Sequence, residues 1–309
     1  MPWNVSVTPD SQAESMTADA AHLEFAARSA RLLEAFPVSA APFIVTLYGD
    51  VVAPRGGEIW TGNIVETLAT AGIGESRVRT ALSRLVAAGR LEGTKEGRRS
   101  YYRLTSGAAA DFTVAARLIY TPVEPPPLRG WHLVALPDEG REAAARTLAQ
   151  QRFGFVSPHL AVLPDRGAPL PRLPGCLFSA TTQDEGLRDL LAAAWPLPVL
   201  AERMRWFVGH FGRLEAEQVP SAAALGLRLL LVHAYRELAL RDPLLPPALL
   251  PPDWPGRGTR ALFVRLYQAL SPAAEADIAA RFVDRTGTLR PDRKRLERRR
   301  SDLAAPPLQ

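Results

Sequence analysis

The order of periodic segments between Val38 and Leu104 restricts this chain more than any other feature. Phe43, Ile44, Leu47 and Tyr48 recur at helical spacing, a turn follows at Gly56-Gly57, and a second helix is predicted from about Thr61 to Thr70. Gly72-Ile73-Gly74 forms a short turn, Glu75 and Ser76 offer helix-capping chemistry, and a third helix runs to Ala88 and Gly89. Arg90–Thr94 and Ser100–Leu104 then alternate around a tip containing Gly97. Three helices followed by a hairpin are the order of a winged helix-turn-helix.

On a helical wheel the third helix has two distinct faces. Leu82, Leu85 and Gly89 fall within about 40° of Val78, with Ala81 and Val86 on the flanks, so this side is predicted to pack inward. Ser76, Thr80, Ser83 and Ala87 lie opposite, with Arg77 and Arg84 beside them and Arg79 on the other flank. Such a face suits a major groove: a guanidinium grips guanine O6 and N7 with two parallel hydrogen bonds, and hydroxyls contact phosphates or base edges. From Arg77 to Arg103 there are eight basic side chains against Glu92 and Glu96, a local excess of +6, whereas the whole chain carries only +5. Lys95, Arg98 and Arg99 cluster around the hairpin tip, where they reach backbone phosphates. Alternation sends one of Tyr101 and Tyr102 inward.

The remainder reads as an α+β chain of several parts, as 309 residues would suggest. Residues 1–37 are a polar tail and a possible helical arm through Leu23, Ala26, Ala30 and Leu33, and 38–107 are the winged helix. Residues 108–127 form a helix running into a spacer containing Pro122, Pro125, Pro126 and Pro127. Residues 128–201 are predicted as strand Gly130–Leu136, helix Asp138–Arg152, strand Phe155–Leu163, strand Cys176–Thr182, helix Glu185–Ala194 and a short strand Leu197–Ala201. This β-α-β-β-α-β order is ferredoxin-like. Residues 202–285 are helical, with segments Met204–Leu214, Ser221–Leu240, Thr259–Leu270 and Ala273–Val283, and 286–309 are a basic tail.

Several function classes are disfavoured. Cys176 is alone, which excludes an internal disulfide framework and a cysteine zinc site, and suits a reducing cytoplasm. The most apolar run, Ala222 to Tyr235, contains Arg228 and His233 and falls short of the ~20 apolar residues of a membrane span. His22, His132, His159, His210 and His233 show no metal-ligand spacing, and no nucleophile motif or phosphate loop is present, so neither catalytic nor metal residues are assigned. Asp138 and Glu139 keep one enzymatic alternative open, a metal-dependent nuclease, although carboxylates just before a helix also complement its dipole. The run from Arg285 to Arg300 has eight basic and two acidic residues, and reads either as a contributor of nonspecific DNA affinity or as a solvated helical tail.

Phe43-Ile-Val-Thr-Leu-Tyr-Gly-Asp50, Glu75-Ser-Arg-Val-Arg-Thr-Ala-Leu-Ser-Arg-Leu85 and Gly97-Arg-Arg-Ser-Tyr-Tyr-Arg-Leu-Thr105 resemble the N-terminal region of the PaaX family of phenylacetic acid degradation repressors. Ala234-Tyr-Arg-Glu-Leu-Ala-Leu-Arg-Asp-Pro-Leu-Leu-Pro246, Leu250-Pro-Pro-Asp-Trp-Pro-Gly256 and Leu266-Tyr267 resemble its C-terminal signature, so the likeness spans about Val38 to Val283. The resemblance implies a cytoplasmic, homodimeric repressor that binds a double-stranded DNA operator, has no cofactor, and responds to an acyl-CoA effector such as phenylacetyl-CoA. Arg203, Arg205 and Trp206, with Tyr235, Arg236 and Trp254, are the candidate effector residues, since flat aromatics and guanidinium groups suit such a ligand. The competing reading makes most of them structural. A ligand-independent architectural DNA-binding protein is the remaining alternative.

Overall fold

In the computed structural model, which describes residues 32–121, 127–167, 169–181, 186–214 and 219–305, the stripe of Phe43, Ile44 and Leu47 becomes the buried face of helix α1 (Ala40–Leu47). The helix widens into a π turn at Tyr48–Val52 and tightens into a 3-10 turn at Ala53–Arg55. Gly56 and Gly57 then take φ of 92° and 79°, which side-chain-bearing residues rarely adopt, and reverse the chain into β1 (Glu58–Trp60). Next come α2 (Thr61–Ala69), α3 (Glu75–Ala87), β2 (Leu91–Glu96), β3 (Arg99–Leu104) and α4 (Ser106–Tyr120). The strands form an antiparallel sheet in the order β1-β3-β2, with Ile59 opposite Tyr102. Strand β1 was not anticipated, because three residues are too few to display alternation. The N-terminal tail, most of the expected helical arm, and Pro122, Pro125 and Pro126 lie outside the described residues.

A second sheet follows. It is built from β4 (Gly130–Ala135), helix α5 (Arg141–Gln150), β5 (Gly154–Ser157), β6 (Leu160–Asp165) and β7 (Cys176–Ala180), and the strand order is β5-β6-β4-β7. Alternation along β4 gives each face its own core. Val134 and Ala161 pack with Ala144, Leu148 and Phe153 on the α5 side; Trp131 and Val162 pack with Leu191 and Trp195 on the other, where α6 (Leu187–Ala194) lies.

Two expectations for this region are corrected. The run Phe155–Leu163 is two strands rather than one, because Pro158-His159 turns the chain back on itself. Leu197–Ala201 is no strand but the start of helix α7 (Leu197–Phe211): Leu197, Leu200, Ala201 and Met204 are buried at helical spacing, and Pro198 is well tolerated in a first turn. The observed order is therefore β-α-β-β-β-α, and β7 rather than a final strand flanks β4.

The chain continues through α8 (Ser221–Ala239), α9 (Gly256–Arg281), a short hairpin of β8 (Val283–Asp284) and β9 (Gly287–Thr288), and α10 (Arg293–Ala304). Helix α9 replaces the two helices expected on either side of Pro272. Its buried stripe of Phe263, Leu266, Tyr267 and Leu270 continues through Ala274 and Ile278, and that burial outweighs the hydrogen bond lost at the proline.

Contacts divide the molecule into two units. Unit 1 holds the described residues up to Thr113, with His210–Ala234 and Phe263–Arg298; unit 2 holds Val114–Gly209, Tyr235–Leu262 and the described residues from Arg299. Unit 1 is pinned by a polar network inside its apolar core. Arg228 is fully buried, with Nη2 3.0 Å from Asp50 Oδ2 in the π turn and Nη1 2.9 Å from Glu275 Oε1. The Tyr267 hydroxyl donates to Asp50 Oδ1 at 2.8 Å, and Arg55 pairs with Glu275. Burial opposes the charge of Arg228, but Asp50, Tyr267 and Glu275 more than offset this, and the guanidinium is held protonated. No helix among the described residues is long and apolar enough to cross a membrane.

Candidate nucleic-acid interface

Three features orient α3. Gly72 (φ 73°) ends the turn after α2, buried Ile73 anchors that turn, and Val78, Ala81 and Leu82 are buried below the helix. Ser76, Arg77, Arg79, Thr80, Ser83 and Arg84 are all exposed on its other side. The N-cap is Gly74, without a side-chain cap; Glu75 does not cap but accepts from Arg79 at 2.6 and 2.8 Å. Arg77 folds back onto the Gly72 carbonyl at 2.9 Å, and the Thr80 hydroxyl donates to the Ser76 carbonyl at 3.0 Å. The Arg84 side chain has no hydrogen bond or ion pair among the described residues, so it is the guanidinium on this face with least to give up on meeting a base.

The hairpin after α3 ends in a two-residue turn, Gly97-Arg98, closed by the Glu96/Arg99 pair. Gly97 has φ of 58°, as expected for glycine in the first turn position. Lys95 lies opposite Ser100 and Arg99 opposite Glu96, so the two cations fall on opposite faces of the ribbon with Arg98 at the tip. All three are exposed. Tyr101 is buried and Tyr102 half-buried; the Tyr48 hydroxyl donates to the Tyr102 carbonyl at 2.9 Å.

Trp60, Thr61 and Gly62 are functional candidates that sequence reasoning missed. The Arg99 guanidinium sits 5.1 Å from the centroid of the Trp60 ring, and Thr61 Oγ1 donates to the Ser100 carbonyl at 2.7 Å. The Trp60 ring lies so close over Gly62 that a Cβ there would come within 2.3 Å of it. The start of α2 and one flank of the hairpin are thus joined, and Arg99 is held by an aromatic plane. The signal available in the sequence was the aromatic and glycine of Trp60-Thr61-Gly62 at a helix start.

The basic C-terminal segment has a different setting. Arg285 pairs with Glu58, whose other partner is Arg103 at 3.2 Å, and Leu289 is buried. The Asp292 N–H donates to the Pro54 carbonyl at 2.9 Å, and Arg295 reaches the Ala53 carbonyl at 3.2 Å. This docks the start of α10 on the turn before β1, where the Gly57 carbonyl accepts from Leu104 N–H at the end of β3 remote from Gly97.

The residues compared with known proteins give a consistent result. Residues 39–108 match the family model of the PaaX-like protein, and residues 195–280 match that of the PaaX-like protein C-terminal domain. The Transcriptional repressor PaaX of Escherichia coli (strain K12) is 32% identical over 281 residues, covering 83% of this chain and 88% of that protein. The chain belongs to the PaaX family. A solved structure, the uncharacterized protein Rv0674 from Mycobacterium tuberculosis, is 24% identical with a TM-score of 0.49, covering 77% of this chain and 98% of that one.

Within this PaaX-family chain the candidate effector residues lie in unit 2 and differ in exposure. Arg203 and Arg205 are exposed, Arg205 paired with Asp253; Trp206, Arg236 and Trp254 are half-buried. Tyr235 is buried, its ring 5.9 Å from that of Phe207; burial pushes its hydroxyl pKa up against the opposing effect of Arg260. Trp254 packs against the Trp131 and Trp195 core, and its indole occupies the space a Cβ at Gly256 would need. Asp138 is almost fully exposed, 3.6 Å from His159 and 3.9 Å from Arg141, and no group of three or more His, Cys, Asp or Glu that could hold a metal occurs among the described residues.

Proposed function

We propose that this protein is a DNA-binding transcriptional repressor of the PaaX type, controlling genes for the breakdown of aromatic or other carboxylic acids. The supporting observation is the exposed face of α3, where three arginines and three hydroxyls stand above a buried apolar stripe beside a cationic hairpin. In this reading α1 to β3 form a winged helix-turn-helix: α3 enters the major groove, and Lys95, Arg98 and Arg99 grip phosphates. The repressor acts as a homodimer, so that two recognition helices meet two half-sites.

Release follows from an acyl-CoA thioester bound in unit 2 near Arg203, Arg205, Trp206, Tyr235, Arg236 and Trp254. The thioester lifts repression only through tighter binding to the form that fits DNA poorly, because a ligand with equal affinity for both forms shifts nothing. The deciding experiment is a fluorescence-anisotropy titration of the full-length protein against its own promoter DNA at fixed salt, repeated with aromatic and aliphatic acyl-CoAs. Tight, salt-dependent binding released by one thioester supports both halves of the reading. Tight binding indifferent to every thioester removes the effector half, and weak binding without sequence preference removes the repressor.

A further inference from the structure

Three helices of this protein end with the same hydrogen-bond pattern. After α2, Gly72 N–H donates to the Ala69 carbonyl and Ile73 N–H to the Leu68 carbonyl; after α3, Gly89 donates to Val86 and Arg90 to Leu85. After α5, Arg152 donates to Ala149 and Phe153 to Leu148, at 3.0 and 3.1 Å. This closure requires a left-handed residue, usually glycine. The first two helices comply, with φ of 73° and 65°, but the third places arginine there at φ 70°. Leu244 (φ 53°) is the other non-glycine residue with positive φ among the described residues, and it belongs to the same place: its carbonyl accepts from Arg166, and its N–H donates to Asp242 at 2.8 Å.

The Arg152 side chain adds a second cost to the first. The residue is half-buried, but among the described residues its buried Nε and Nη2 have no hydrogen-bond partner and no carboxylate lies within 4.0 Å of it. A guanidinium does not escape burial by losing its proton at ordinary pH, so the charge remains. Burial lowers the pKa of Arg152 and of Arg166, and Arg166 repels Arg152 in addition. Asp242 is the acid that offsets Arg152, yet it is engaged by the Leu244 N–H, and burial pushes its own pKa up. The backbone is fixed from the other side: the Trp195 indole donates to the Arg152 carbonyl at 3.3 Å, and a Cβ at Gly154 would meet that indole at 2.5 Å.

Arginine thus stands where glycine is easier, with two guanidinium nitrogens lacking a hydrogen-bond partner among the described residues, an arrangement that a partner outside the chain would complete. Nε and Nη2 form the edge of a guanidinium that presents two parallel N–H groups to the two oxygens of one anion. We propose that Arg152, with Arg166 beside it, is a binding site for the oxyanion of a small molecule, a carboxylate or a phosphate group, at the end of the second sheet where β5 begins and β6 ends. Binding itself is independent of the repressor reading; only its coupling to DNA release rests on that reading.

The test uses the full-length protein and three probes, inorganic phosphate, acetate and coenzyme A, followed by calorimetry and thermal unfolding, with Arg152→Gly as the main variant. The wild type binds at least one probe saturably; phosphate and coenzyme A without acetate identify a phosphate site, and acetate a carboxylate site. Arg152→Gly weakens that binding by tenfold or more, and its Tm in anion-free buffer rises by about 2–4 °C, because strain and an unpaired charge are removed together. Arg166→Met weakens the same binding. A lower Tm for Arg152→Gly in anion-free buffer would make the residue structural and overturn the proposal, as would undiminished binding in that variant or no saturable binding by the wild type. If binding obeys these rules but the bound probe has no effect on promoter DNA, the site stands and its link to repression fails.

Discussion

Arg228 in unit 1 is fully buried and Arg152 in unit 2 is half-buried, and the protein treats their charges differently. Arg228 stands on helix α8 in an ordinary helical conformation, with carboxylates at 3.0 and 2.9 Å and an aromatic ring 5.3 Å away. In both side chains Nε and Nη2 are buried without a well-aligned hydrogen bond, but Arg152 sits in a left-handed conformation and has no carboxylate within 4.0 Å among the described residues. The two carboxylates beside Arg228 offset part of its desolvation cost, which Arg152 bears without such a pair. The comparison separates a charge used to specify packing, which ties the π turn of the first helix to α8 and α9, from a charge held ready for a ligand.

The largest test of that contrast removes the ion-paired member. Arg228→Met strands Asp50 in the core and is expected to destabilise the protein by about 3–5 kcal/mol, read from the midpoint of urea unfolding. A loss comparable with that of a surface substitution would break the distinction. A middle-sized effect is expected for an arginine that is exposed and unpartnered. Arg84→Ala leaves stability within about 0.5 kcal/mol but weakens operator binding by about 1–3 kcal/mol and relaxes sequence preference at one position, measured by anisotropy with operator variants. Arg98→Ala, by contrast, weakens all DNA alike and lowers the slope of log K against log salt by about one. The smallest effect belongs to an exposed arginine that already has a partner: Glu75→Gln, which frees Arg79, changes stability by no more than about 0.5 kcal/mol, because an exposed i,i+4 pair contributes little. A large thermal shift there would show that the pair does more than lie on the surface.

How much of this was legible in the sequence depends on the range of the interactions involved. The inward face of α3 followed from spacing at Val78, Ala81 and Leu82, whereas Leu85 is half-buried and Val86 and Gly89, expected on that side, are exposed near the helix end. The tip at Gly97 followed from glycine's freedom in a turn. Strand β1 was invisible because its three residues become a strand only by pairing with β3. Leu197–Ala201 misled because a short apolar run fits a buried strand and a helix equally well; the period became clear only when Met204 and Phe207 were included in the same face. Pro272 misled in the opposite direction, since a rule about isolated helices gave way to a continuous buried stripe.

By itself, the sequence determined most of the local elements, the cationic excess around α3 and its hairpin, and the family to which the chain belongs, because period, turn chemistry and motif are properties of neighbouring residues. Tertiary structure alone decided that Asp50, Arg228 and Glu275 share one buried network and that Trp60 holds Arg99. It also decided that, while glycine closes α2 and α3 at Gly72 and Gly89, Arg152 at the same structural position has two guanidinium nitrogens without a hydrogen-bond partner among the described residues. Those facts depend on desolvation and on contacts between residues distant in the chain. Neither is encoded in spacing along it.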